Sequence, residues 1–85
     1  MTWQVIWSAK SVKQLEKIDT KNAQKIYDSV LNCVDDPFKV AIKLQNSPFF
    51  RLRVGNYRVI LNLQQNKMII FVVEMDHRSR IYKRY

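Results

Sequence analysis

The sequence predicts an α+β domain of order β-α-α-β-β-β, a helix hairpin packed on one face of a twisted, mainly antiparallel four-stranded sheet. Three observations carry this. Apolar residues alternate with polar ones in residues 2–7, 49–54 and 57–63, the period of a half-buried strand. Between Val12 and Val34 they instead recur at helical spacing. Gly55-Asn56 separates two alternating runs, a strong two-residue hairpin signal. The 85 residues make one small domain (1–85), and 47% apolar content is enough for a single core.

Thr2–Trp7 places Trp3, Val5 and Trp7 on one face of a strand. Ser8 suits the N-cap of a helix carrying Val12, Leu15 and Ile18. Asp19-Thr20 breaks that helix and caps a second, with Ala23, Ile26, Tyr27, Val30, Leu31 and Val34 along its apolar stripe. Asp35-Asp36-Pro37 ends it, because the residue before proline avoids helical angles. Cys33 falls inside this second helix as a small core residue. Residues 38–48 lack periodicity and read as a loop. Three strands follow: Phe49–Val54, Tyr57–Leu63 and Met68–Met75, the last almost continuously apolar, as for a strand buried on both faces. A short basic tail closes the chain.

Composition removes several function classes. One Gly excludes glycine-rich phosphate loops, and one Cys with one His excludes a disulfide framework and a cysteine/histidine zinc site. No apolar run approaches the roughly 20 residues of a membrane span. No signal peptide is read at the start, so a cytoplasmic protein without membrane contact is expected.

The chain holds 15 Lys+Arg against 7 Asp+Glu, for a formal charge of +8. Residues 1–48 carry +2, as lysines interspersed with acids; residues 49–85 carry +6 and contain every arginine. Arg51, Arg53 and Arg58 form one group, and Arg78, Arg80 and Arg84 the other, with no acid inside either. If Gly55-Asn56 is the loop, Arg53 lies opposite Arg58 and Leu52 opposite Val59. Arg51, Arg53 and Arg58 then share one face. Like charges directly opposite destabilise a sheet. A phosphate ligand would neutralise them; long arginines splaying into water are the alternative account. In the tail, His77-Arg78-Ser79-Arg80-Ile81-Tyr82-Lys83-Arg84-Tyr85 interleaves cations with aromatics, a pattern suited to base stacking beside phosphate contacts. Residues 83–85 read as a frayed end. Arg78 and Tyr82, four residues apart, would share one side of a helical turn.

The segment Arg51-Leu52-Arg53-Val54-Gly55-Asn56-Tyr57-Arg58, followed by strand-turn-strand and His77-Arg78-Ser79-Arg80-Ile81-Tyr82, resembles the RelE/ParE toxin superfamily, and its RelE branch more than its ParE branch. The resemblance spans essentially the whole chain. It implies the toxin of a type II toxin–antitoxin pair: a metal- and cofactor-free, ribosome-dependent endoribonuclease that cuts mRNA in the decoding site. Its partners would be a cognate RelB-like antitoxin, the ribosome and mRNA.

By the same resemblance, Arg58 and Arg78 are catalytic arginines and Tyr82 stacks on a substrate base, while Arg51, Arg53, Arg80 and Lys83 contact RNA. The chain departs from the family in having Phe49 and Arg51 where well-studied relatives have lysines. Arginine is a very poor base near neutrality. His77, the one imidazole in the chain, is then the candidate base, or a plain strand-end histidine. Glu74 and Asp76 could pair with an arginine. A ParE-like inhibitor of DNA gyrase acting by protein contact, and a catalytically weak antitoxin-bound relative, are the rival readings.

Overall fold

A computed structural model describes residues 2–81 and Tyr85. Strand β1 (Gln4–Trp7) leads into helices α1 (Ala9–Lys17) and α2 (Thr20–Leu31), then a four-residue helix α3 (Pro37–Val40) and a two-residue strand β2 (Ile42–Lys43). Strands β3 (Phe50–Val54), β4 (Tyr57–Gln64) and β5 (Ile69–His77) follow, and α4 (Arg78–Ile81) continues directly from β5. The sheet has five strands in the order β1-β5-β4-β3-β2, with β1 parallel to β5 and the other neighbours antiparallel.

Sequence periodicity predicts only four strands. The fifth, β2, and α3 lie in residues read as a loop. Pro37 opens α3, where its missing N–H costs nothing. Ile42 and Lys43 then pair with Arg51 and Phe50.

Both predicted caps form. The Ser8 hydroxyl accepts from the Ser11 N–H at 3.0 Å and donates to the Val73 carbonyl at 2.7 Å. Asp19 accepts from the Asn22 side-chain amide at 2.9 Å and its backbone N–H at 3.2 Å, which hold the Asp19 carboxyl below its ordinary pKa. The second helix ends earlier than expected. The Val34 carbonyl accepts the Trp3 N–H at 2.7 Å, turning the chain back toward β1. Cys33 therefore lies past the helix, buried, with its thiol on the Ser29 carbonyl at 3.2 Å and its pKa pushed up by burial.

The core packs Ile26 and Val30 of α2 against Leu52, Val59, Leu61, Ile70, Val72 and Met75. The expected helix stripes are wider than the packed ones: Val12, Tyr27 and Leu31 are exposed, while Ser11 is fully buried. Strand β5 is internal, and its helix side is the drier one, although Glu74 on the other face is buried too. Ile70 and Val72 are buried, and Phe71 and Val73 are half-buried on the other face.

A bulge in β5 sets what this second face presents. Leu61 pairs with Val72, yet Ile60 pairs with Glu74, so Val73 is an extra residue. Without it, Met75 would lie opposite Arg58, and Glu74 would enter the core opposite Val59. With it, Met75 fills the core opposite Val59 and Asp76 lies opposite Arg58. Beyond Trp7↔Val72, β5 has no β1 partner, and α1 covers its edge: the Gln14 side-chain oxygen accepts the Met75 N–H at 2.7 Å.

Candidate nucleic-acid interface

The β3–β4 hairpin has the predicted register: Arg53↔Arg58, Leu52↔Val59 and Val54↔Tyr57. Gly55 takes a positive φ of 57° at the first turn position, the conformation that glycine adopts without strain. Directly opposed residues project from one face, so two rows cross the sheet. One runs Ile42–Arg51–Ile60–Glu74, and the next Arg53–Arg58–Asp76. Leu52 and Val59 point the other way, into the core beneath α2. The arginine face is therefore the face turned away from α1 and α2.

Acids sit closer to this cluster than chain order suggests. Asp76, opposite Arg58, accepts from the Arg80 Nε at 3.1 Å and from the His77 N–H at 2.7 Å. Glu74 is buried, with Lys10 Nζ at 3.2 Å from one carboxylate oxygen and the Tyr85 hydroxyl donating to the other at 2.6 Å. Tyr85 also meets the Phe49 ring edge-on at 6.3 Å, so this residue is anchored rather than frayed. Sequence reading missed the organising role of Glu74. The signal was present: it is the one charged residue in the otherwise apolar run from Met68 to Met75.

Arg78 is brought beside the hairpin, since its N–H donates to the Asn56 carbonyl at 2.8 Å at the turn. Its Nε is buried and makes no hydrogen bond among the described residues. The expected helical turn after β5 is α4, with Ile81 buried. Tyr82 and Lys83 lie outside the described residues.

His77 is not brought to the arginines. It pairs with Tyr57, packs edge-on against that ring at 5.7 Å, and holds the Ser79 hydroxyl 3.0 Å from Nδ1. Tyr57 and Arg58 project from opposite faces of β4, so His77 and Arg58 do too. The physical reason is the bulge: an unbulged register would have set Met75 and His77 on the arginine face.

Next to the arginines, Val40, Ile42, Arg51, Leu52, Arg53 and Arg58 line a cleft of about 190 Å³. Among the described residues, no helix is long and apolar enough to cross a membrane.

A family model described as ParE toxin of type II toxin–antitoxin system, parDE, matches residues 5–82. The chain belongs to this family. In backbone this ParE-family chain is similar to solved RelE structures. It matches the toxin–antitoxin complex RelBE2 of Mycobacterium tuberculosis with a TM-score of 0.85 at 17% identity, covering 93% of this chain and 94% of that one. For the archaeal RelE–RelB complex of Pyrococcus horikoshii the TM-score is 0.80 at 24% identity, covering 94% and 99%. For the isolated RelE toxin of E. coli it is 0.79 at 17% identity, covering 96% and 93%. These likenesses establish the fold, a helix hairpin on a mainly antiparallel sheet. Among curated proteins, no relative matches by sequence.

Proposed function

We propose that this toxin is a ribosome-dependent endoribonuclease that cleaves mRNA in the decoding site. The observation that carries the reading is the Arg53↔Arg58 cross-strand pair, with Arg51 on the same face, the one turned away from α1 and α2. Two arginines set directly opposite disfavour the sheet; Asp76 on the far side of Arg58 supplies one opposing charge, and a phosphodiester backbone would supply more to Arg51 and Arg53.

The ribose 2′-hydroxyl attacks the adjacent phosphorus, the bond to the 5′-oxygen breaks, and a cyclic phosphate remains. Arg58 and Arg78 hold the non-bridging oxygens and stabilise the charge that builds on them. The buried Nε of Arg78, which has no acceptor among the described residues, gains one through that contact. Arg51, Arg53, Arg80 and Lys83 hold flanking phosphates, and Tyr82 stacks on a base. His77 faces away, so in this reading charge stabilisation carries the rate; the 2′-hydroxyl proton passes to water or to a ribosomal group, and water returns a proton to the departing 5′-oxygen. The chemistry needs no metal or cofactor, and it implies a cytoplasmic protein. An antitoxin, as RelE carries in the complexes above, would neutralise this toxin by laying acidic residues over the arginine face.

The family match to ParE toxins favours a second reading, inhibition of DNA gyrase by protein contact. Purified protein added to programmed ribosomes, with primer extension across the decoding codon, separates the two. Cuts that require the ribosome support the nuclease. Intact mRNA together with inhibited supercoiling supports the gyrase reading.

A further inference from the structure

Two large aliphatic side chains stand in water where a sheet edge normally carries charge. Val40 is 52% exposed and Ile42 is 56% exposed, on the end of α3 and on the edge strand β2. Natural edges are usually blunted by charged residues or proline, because apolar edges promote association. These two also border the 190 Å³ cleft shared with Arg51, Arg53 and Arg58. Ile42 is the direct cross-strand neighbour of Arg51, so both project from the arginine face.

We infer that Val40 and Ile42 form the apolar wall of a nucleobase subsite: they take the base of a single-stranded RNA nucleotide whose phosphate is held by Arg51 and Arg53. This rests on the nuclease reading and deepens it by naming what lies beside the scissile phosphate. The cleft is smaller than the roughly 300–1,000 Å³ that holds a drug-sized ligand, which suits one ring system rather than a larger molecule. An apolar wall beside a row of arginines matches the two halves of a nucleotide. The same pairing fits poorly with an acidic peptide, whose carboxylates would lie against valine and isoleucine. Because the wall is aliphatic and open, it favours a base over an abasic sugar without reading hydrogen-bond edges, and so gives affinity with little base selectivity.

The test is an NMR titration of the purified toxin with a 2′-O-methyl adenosine trinucleotide, in which the attacking hydroxyl is blocked, and with its abasic counterpart of equal charge. The base-bearing probe should bind about tenfold tighter and shift the Val40 and Ile42 methyl signals. A Val40→Ser/Ile42→Ser double variant alters only exposed side chains, and an unchanged amide spectrum elsewhere checks its fold. It should bind both probes alike, at the abasic level. Equal or undetectable binding of the two probes to the unsubstituted protein overturns the subsite, as does discrimination that survives in the double variant. Surviving discrimination with weakened antitoxin binding would assign these side chains to a protein partner instead. Ribosomal cleavage is scored separately: a protein that discriminates the probes but cuts no mRNA refutes the nuclease reading while the subsite stands.

Discussion

The two faces of the sheet are built from the same three strands by opposite rules. Toward the helices, Leu52, Val59, Leu61, Ile70, Val72 and Met75 are almost completely buried, and each faces apolar neighbours. On the other face, Arg51, Arg53 and Arg58 stand in rows with Asp76 and with the buried Ile60 and Glu74. One face is arranged so that every neighbour favours the fold, and the other opposes two arginines directly. The difference teaches that the residues that build the core and those proposed to bind RNA lie on alternate positions of single strands, so one-residue shifts in register exchange them.

Substitutions can break the comparison. The largest effect on stability is expected for Leu61→Ala, which leaves a cavity in the helix-side core and should cost about 2–5 kcal/mol. Chemical denaturation measures it, and cleavage per folded molecule should stay near that of the unsubstituted protein. Activity lost in proportion beyond the unfolded fraction would mean that the faces are coupled.

The sequence disclosed the hairpin register because a two-residue turn between period-2 runs leaves one alignment that buries the apolar set. It could not disclose the bulge. Val73 and Met75 are both apolar, so the run from Met68 to Met75 looks the same with or without an extra residue. Sequence reading named His77 because arginine is a poor base, and without the β5 register it had no means of telling which face His77 or Asp76 takes. Strand β2 was invisible because two residues show no alternation, and with it the wall formed by Val40 and Ile42. Arg78 lies beside the hairpin because β5 ends where the turn begins.

A smaller effect sharpens the role of the turn that joins the faces. A methyl group at Gly55 would meet open space, yet the backbone there has a φ of 57°. Gly55→Ala should therefore cost only the backbone strain, about 1–2 kcal/mol by denaturation. A cost near zero would show that the hairpin tolerates another turn type without strain.

The smallest effect lies on the helix side, at the cap of α2. Asp19 has its carboxyl pKa lowered in the folded protein, first by the Asn22 side-chain amide and then by the Asn22 N–H. Its contribution is therefore present above the ordinary carboxylate value of 3.8 and lost as pH falls through the lower folded value. Thermal melts of Asp19→Ala should show less loss of stability on acidification than the unsubstituted protein. An unchanged pH dependence would remove this cap from the account.

The most direct test of the division between faces is Arg58→Ala, measured twice on the same preparation. Denaturation should show a change of no more than about 1 kcal/mol, because the residue lies outside the helix-side core. Single-turnover cleavage on programmed ribosomes should fall by about 10²–10³, the usual loss when a preorganised charge-stabilising donor is removed. A folded Arg58→Ala protein that cleaves at the unsubstituted rate would contradict the account.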